Sequence, residues 1–287
     1  MPAPSLFVSH RITPPGEYTF QIEGPAVDKS GNLYVVNFHS AGTIGKVAPG
    51  ASHSTLFTTL HHDRIGSGIR FDRQGRMYIA DFNKNNVLVI APGQTDAEVF
   101  FHSDDFNQPN DLAIAADGTL YASDPDFPGH KGQIWKITRN ADGAAHGEVM
   151  SPNRQMRQTN GLDLSPDGTT LYVDESDTKQ IWAYRIDGNN LTAPAQPLAR
   201  FDHFELDGLR TDVTGRIFVA RPGAGEVTIV NPDGSVARRV TTLGREPTNL
   251  TFGGTDGRTV FVTQKDGKFI EAFLTDQPGR EFAPHGP

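Results

Sequence analysis

Cysteine is absent from the 287 residues of this chain. Its absence excludes a disulfide framework, a thiolate metal site and a cysteine nucleophile. An excess of basic residues is also lacking, since 26 Lys and Arg stand against 34 Asp and Glu, a formal net charge of −8. Proteins that bind nucleic acid usually carry a basic face, so this balance argues against a nucleic-acid partner.

Long apolar runs are missing as well. No segment approaches the ~20 consecutive apolar residues of a membrane-spanning helix. The first residues lack the basic and apolar regions of a secretory signal. We therefore expect a cytoplasmic protein with no membrane partner, and the sequence favours no particular oligomeric state. A Gly-x-Ser-x-Gly motif is also missing, which argues against a serine hydrolase.

What the chain does contain is a repeat of six similar units. Each unit has a short apolar segment, a Gly-containing turn and a strand of aromatic and β-branched residues. The units begin at Gly24, Gly68, Asp111, Gly161, Gly208 and Asn249. A period of roughly 40–50 residues built from strands is typical of propeller blades. The sequence therefore predicts an all-β protein, with residues 1–287 forming one six-bladed β-propeller domain.

The last unit lacks a fourth strand, because the chain turns to Gly and Pro after residues 271–274. Residues 5–9 have strand character, so we expect this N-terminal strand to complete the last blade and close the ring. Aromatic residues of the second strands are expected to pack between blades. These are Tyr34, Tyr78, Tyr121, Tyr172 and Phe218.

One polar residue stands directly before the start of each unit. Since the inner strands of a propeller line its central axis, these residues should form a ring at one end of that axis. The ring comprises Glu23, Ser67, Asn110, Asn160, Asp207 and Thr248. Taken singly, each residue is better explained as a turn former than as a metal ligand. Together they place two carboxylates in one ring, where they would repel each other without a cation.

The chemistry of the ring indicates the kind of cation. Every member offers oxygen, and none offers sulfur or imidazole. Glu23, Asp207, Asn110 and Asn160 therefore suit a divalent metal, and Ca²⁺ is favoured over Mg²⁺ because it accepts looser geometry. Mn²⁺ and Zn²⁺ remain alternatives, although Zn²⁺ is disfavoured without His or Cys ligands.

Several units carry distinctive motifs, namely Pro109-Asn110-Asp111-Leu112, Asn160-Gly161-Leu162, Asp207-Gly208-Leu209 and residues 247–254. Through these motifs the chain resembles, over essentially its whole length, the SMP-30/gluconolactonase/LRE-like family of calcium-dependent lactonase propellers, which includes the regucalcins. The resemblance implies that Glu23, Asn160 and Asp207 bind the metal. It implies that Asn110 is either a fourth ligand or a substrate contact. Propellers of the diisopropyl-fluorophosphatase type are similar in ligand pattern, with one Glu, two Asn and one Asp.

One position departs from the family pattern. Sugar lactonases of the regucalcin type carry an Arg two residues before the third-blade Asn, where it contacts the substrate. This chain has Gln108 there. Gln108 can still form a hydrogen bond with a lactone hydroxyl, but the departure weakens the expectation of an aldonolactone substrate.

The expected function is that of a metal-dependent hydrolase that opens a lactone ring. The cation would polarise the carbonyl, and a carboxylate would assist the attack of water. Asp207 is the first choice for that carboxylate and Glu23 the second. Direct attack by Asp207, through a covalent intermediate, stays open. A phosphotriesterase-like hydrolase and a non-catalytic calcium-binding propeller are the alternative functions.

Loops on the same face as the ring should supply the pocket walls. These include residues 81–83, 124–130 and 175–177. We expect Gln108, Phe127, His130 and His203 to contact the substrate together with Asn110. His130 and His203 are also candidate proton donors to the leaving alkoxide.

Overall fold

The Gly-containing turns of the repeat join the first two strands of each sheet, as the sequence predicts. In the computed structural model, which describes residues 5–283, all six turn glycines have a positive φ between 71° and 89°. Gly118 has the largest of these values, φ 89°. Residues with a side chain rarely adopt this backbone conformation, so glycine makes the tight turn possible.

The described residues form 26 strands and one short 3₁₀ helix. The first half comprises β1 (His10–Arg11), β2 (Tyr18–Val27), β3 (Leu33–Phe38), β4 (Thr43–Val47), β5 (Thr55–Thr59), β6 (Gly66–Phe71), β7 (Met77–Asp81), β8 (Asn86–Ile90), β9 (Glu98–His102), β10 (Leu112–Ile114), β11 (Leu120–Asp126), β12 (Lys131–Arg139) and β13 (Ala145–Val149). The second half comprises β14 (Ser151–Pro152), β15 (Thr159–Leu164), β16 (Thr170–Glu175), β17 (Gln180–Asp187), β18 (Asn190–Thr192), β19 (Ala199–Arg200), β20 (Leu209–Thr211), β21 (Ile217–Arg221), β22 (Glu226–Val230), β23 (Val236–Thr241), β24 (Pro247–Gly253), β25 (Thr259–Gln264), β26 (Phe269–Leu274) and the 3₁₀ helix (Arg280–Phe282).

These strands make six sheets arranged as blades around one axis. The innermost strands are β2, β6, β10, β15, β20 and β24, each followed by its partner in the same blade. Every inner strand contacts the inner strand of the next blade, and β24 contacts β2. The ring is therefore complete, and the prediction of an all-β, six-bladed propeller is confirmed. Blade 4 differs from the others, because β14 and β19 add short pairings at its outer side.

The ring is closed by the N-terminal part of the chain, but not by the segment that the sequence favours. β1 pairs with β26, with His10 opposite Ala272 and Arg11 opposite Glu271. Residues 5–9, the predicted strand, make one isolated bridge between Leu6 and Leu274. Phe7 has φ 61°, a left-handed conformation that interrupts an extended strand. The closing strand therefore begins five residues later than predicted.

The apolar core lies between blades and not within them. Six buried clusters each join side chains of two neighbouring blades around the ring. The predicted interblade aromatic residues all belong to these clusters: Tyr34, Tyr78, Tyr121, Tyr172 and Phe218. Burial of large apolar side chains is the main force that holds the blades together.

The segment after β26 crosses the end of the axis where the turns lie. Val213 N donates to Pro278 O, and Gly279 N donates to Gly257 O. Arg280 then reaches the centre, where its Nη2 donates to Asp163 Oδ1 at 2.6 Å. This segment closes one end of the channel, so the polar ring faces the other end. Within residues 5–283, no helix is both long and apolar enough to span a membrane.

Candidate functional site

All six predicted ring residues line one cavity of about 450 Å³ at the open end of the axis. They are Glu23, Ser67, Asn110, Asn160, Asp207 and Thr248. Five of them lie at or just before the start of an inner strand, and Glu23 lies within the longer strand β2. The cavity follows from the repeat, because the same strand position in every blade faces the axis at the same height.

Glu23 is held with one oxygen bonded and one oxygen unpaired. Its Oε2 accepts from Gly24 N at 2.8 Å and from Asn249 Nδ2 at 2.8 Å. Asn249 Oδ1 in turn accepts from Leu250 N at 2.8 Å, which fixes which end of the amide faces Glu23. Glu23 Oε1 is buried without a hydrogen-bond partner. Burial raises the pKa of Glu23 to about 7, against the lowering effect of its two hydrogen bonds.

Asn160 is held in the same way by Ser176. Asn160 Nδ2 donates to Ser176 Oγ at 3.0 Å, and the Ser176 hydroxyl donates to Leu206 O at 2.8 Å. Because Ser176 Oγ is already a donor to Leu206, it can only accept from Asn160. The carboxamide is therefore oriented, and its Oδ1 is buried without a hydrogen-bond partner. A buried unpaired acceptor is costly, so an unfilled bond points to a missing donor or cation.

Burial and neighbouring carboxylates also perturb the pKa of Asp207. Burial, then the charge of Glu23, then the charge of Asp174 raise the pKa of Asp207 well above its ordinary value. Each negative charge disfavours ionisation of the neighbouring carboxyl groups, because the site is poorly solvated. A divalent cation held by Glu23 and Asp207 would lower the pKa of both carboxyl groups.

The nearby arginines form their direct ion pairs with other carboxylates. Asp111, next to Asn110, accepts from Arg210 Nη1 at 2.7 Å and lies 3.1 Å from Arg70 Nη2. Asp163 is likewise paired with Arg280. In the described part of the chain, neither Glu23 nor Asp207 forms an ion pair. Protons or a bound cation must therefore balance the ring carboxylates.

Glycine next to the ring allows the inner strands to approach closely. A Cβ on Gly24 would lie 1.8 Å from Ser67 O of the next blade. A Cβ on Gly208 would lie 2.1 Å from the Asn249 side chain. Either side chain would push the strands apart, so these glycines set the diameter of the ring.

The ring residues fit a hard divalent cation. Their donors are carboxylate and amide oxygens, and two of these oxygens, Glu23 Oε1 and Asn160 Oδ1, are buried and unpaired. Asn110 Oδ1 is only loosely bonded, with Ser67 Oγ at 3.5 Å. Among residues 5–283 there is no cluster of three or more His, Cys, Asp or Glu suited to a metal. The ring contains only two such residues, and amides supply its remaining strong donors.

The predicted substrate contacts divide into two groups. Asn110 and Phe127 line the cavity. Gln108 is not among the lining residues. Its Oε1 accepts from Phe127 N at 3.4 Å, so it supports the loop that carries Phe127. His130 also lies outside the lining, 3.3 Å from Asp177, with its side chain 60% exposed. His203 lines a separate cleft beside Arg221.

Several cavity residues were missed by the sequence reasoning. They are Phe20, Gln21, Gln158, Glu205 and Lys265. Three of them share an offset, because Gln21, Gln158 and Glu205 each stand two residues before a ring residue. This is the offset that singled out Gln108 in blade 3. Applying it to every unit finds these three residues. Lys265 also has a repeat position, since it directly follows β25 as Phe82 follows β7 and Ser176 follows β16. Phe20 carries no such signal.

The fold and the site define a six-bladed propeller with an oxygen-lined axial cavity. The chain belongs to the SMP-30/gluconolactonase/LRE-like family, whose model matches residues 21–266. A gluconolactonase from Zymomonas mobilis is 26% identical over 269 residues, covering 84% of this chain and 75% of the relative. The diisopropyl-fluorophosphatase of Loligo vulgaris is 23% identical over 288 residues, covering 90% of each chain. Among solved structures, a calcium-binding regucalcin from Agrobacterium tumefaciens has a TM-score of 0.73 and 18% identity, covering 94% of this chain and 97% of its own.

Proposed function

We propose that this protein is a metal-dependent hydrolase that opens a lactone ring. The observation that carries the proposal is the convergence of two repelling carboxylates and two unpaired ligand oxygens on one axial cavity. Glu23, Asn160 and Asp207 would hold the cation, and Asn110 would be a fourth ligand or a substrate contact. Gluconolactonase relatives support the reaction class, and the regucalcin neighbour, described as calcium-binding, supports Ca²⁺ as the cation.

The proposed chemistry is divided between the cation and one carboxylate of the ring. When bound, the cation supplies Lewis-acid polarisation of the lactone carbonyl. Asp207 would take a proton from the attacking water at its carboxylate, with Glu23 as the second candidate. Because His130 and His203 lie outside the cavity, the same Asp207 carboxyl is placed to return that proton to the leaving alkoxide. Direct attack by Asp207 on the carbonyl is the alternative, and transfer of solvent ¹⁸O into Asp207 in a single turnover would identify it.

Removal of divalent metal is expected to abolish turnover. Lactone hydrolysis would be followed in a pH-stat before chelation, after EGTA or EDTA treatment, and after adding back Ca²⁺, Mg²⁺, Mn²⁺ or Zn²⁺. We expect loss of activity on chelation and the fullest recovery with Ca²⁺, because the oxygen ring matches its preference. Full activity in a metal-free sample would refute the proposed role of the cation.

A phosphotriesterase-like activity is the second candidate, supported by the likeness to diisopropyl-fluorophosphatase over 90% of each chain. Lactone and organophosphate panels offered to one preparation would rank the two reactions by kcat/KM. Calcium binding without turnover of either panel would instead favour a non-catalytic propeller.

Ser176→Ala is expected to weaken Ca²⁺ binding by roughly 10–100-fold, the usual effect of removing a group that orients a metal ligand. Without Ser176 Oγ, the Asn160 amide loses the bond that directs its Oδ1 into the cavity. Titration calorimetry measures the affinity directly. Ser176→Thr keeps the hydroxyl and should recover most of it. Equal affinity in Ser176→Ala and the unchanged protein would show that Ser176 does not orient Asn160.

A small-molecule substrate is consistent with a cavity of about 450 Å³. We also propose a cytoplasmic location without nucleic-acid or membrane partners. The net charge of −8 supports the part of this proposal that concerns nucleic acid.

A further inference from the structure

Three phenylalanine rings stand along one side of the cavity mouth. Phe20, Phe82 and Phe127 come from blades 1, 2 and 3 and line the same cavity as the polar ring. Phe20 is 62% exposed, although it belongs to a strand. It is carried there because β2 begins at Tyr18, several residues before the ring position Glu23.

The backbone beneath two of these rings is fixed. Phe82 N donates to Ile65 O at 2.9 Å. Phe127 O accepts from Gln158 Nε2 at 2.7 Å, and the Phe82 and Phe127 ring centroids are 6.4 Å apart. An apolar group that binds to such a wall orders few protein groups, so little of its binding energy is lost to conformational entropy.

The two sides of the cavity differ in polarity. Blades 1 to 3 contribute the apolar side chains Phe20, Ile22, Ile65, Phe82 and Phe127, together with the polar Gln21 and Asn37. Blades 4 to 6 contribute one apolar side chain, Leu206, beside the polar Gln158, Ser176, Glu205 and Lys265. A lactone hydroxyl packed against the three phenylalanine rings would lose its bonds to water, because the rings offer no hydrogen-bond partner.

We propose that the substrate is a lactone with an apolar alkyl or aryl substituent, which lies against Phe20, Phe82 and Phe127. This inference rests on the proposed lactonase function and specifies its substrate class. The lactone carbonyl would face Asp207 and Asn160, and the polar side near Lys265 would remain for the hydrolysed carboxylate. Contact with the phenylalanine wall, and not hydrogen bonding to ring hydroxyls, sets the preference.

The test is a homologous series of γ-lactones from methyl to hexyl substituents, with glucono-δ-lactone as the polyhydroxylated reference. At a fixed excess of Ca²⁺, kcat/KM is expected to rise about fourfold per methylene until the wall is covered. Phe20→Ala should flatten this rise, and Phe20→Leu should largely retain it. Phe204→Ala is a matched control, because Phe204 is also exposed but lines a different cleft.

The same experiment distinguishes a wrong substrate class from a wrong reaction class. If lactones are hydrolysed but glucono-δ-lactone is preferred and the series is flat, the apolar wall does not select the substrate. An unchanged rise of kcat/KM per methylene in Phe20→Ala would also show that the phenylalanine wall does not select the substrate. If no lactone is hydrolysed while Ca²⁺ still binds by calorimetry, the lactonase proposal itself is wrong.

Discussion

Asp207→Asn is expected to lower kcat/KM for lactone hydrolysis by at least ~10²-fold, because it removes both a charged metal ligand and the proton acceptor. The same change should stabilise the metal-free protein. Asp207 is buried beside Glu23 and Asp174, whose charges disfavour its ionised form. Neutral Asn removes that repulsion with little change in shape. A pH-stat gives the rate, and thermal unfolding in EGTA gives the stability.

Glu23→Gln should likewise lower kcat/KM and stabilise the metal-free protein, since it also removes one of the two repelling charges. Asp202→Asn is a matched control, because Asp202 is an exposed residue shortly before Asp207 that lines a different cleft. It should leave the rate and the calcium response unchanged. If Asp207→Asn retained full activity and a normal calcium response, Asp207 would be neither ligand nor base.

The stabilisation by Ca²⁺ is expected to grow steeply with pH. Burial raises the pKa of Glu23 to about 7 in the metal-free folded protein, from an unfolded value near 4.5. The folded state therefore binds more protons between these values, and the metal-free protein loses stability as pH rises from about 4.5 to about 7. A cation binds the ionised carboxylates, so protons compete with it below that range.

Thermal unfolding with CaCl₂ and with EGTA at pH 5, 6, 7 and 8 measures this dependence. The difference in Tm between the two conditions should be small at pH 5 and largest at pH 8. Subtracting the Tm in EGTA from the Tm in CaCl₂ at the same pH removes the pH dependence of groups that do not contact the cation. In a Glu23→Gln, Asp207→Asn double variant it should vanish at every pH. An equal calcium-induced shift across the range would show that these carboxylates are not the ones titrating.

The repeat carried the fold prediction because each unit contains its own turn and strand signals. The predicted position of the closing strand was wrong, since the sequence places it at residues 5–9 and the structure at β1. Outer strands lie largely in solvent, as in β5 and β9, so apolar patterning says little about them. The left-handed backbone at Phe7 has no signal in a run of otherwise strand-forming residues.

The ring could be predicted for the same reason that the blades could. Its members share a strand position, and the geometry of the propeller converts that position into a common cavity. The loops around the cavity follow the repeat less closely. His203 stands only four residues before Asp207, yet the intervening loop turns outward, with Phe204 at φ 62°. Gln108 has the expected position in the sequence, but its amide supports Phe127 and does not line the cavity.

The closing blade combines strands from both ends of the described chain. Ile270 N donates to Thr13 Oγ1 across 257 residues of sequence, and β1 is the last strand needed to finish blade 6. Contacts this distant carry a large loop-closure entropy and form late in folding. Until they form, the apolar faces of blades 1 and 6 have no neighbour. We therefore expect an open ring to be more exposed to aggregation than the closed one, and ring closure to couple the stabilities of the blades.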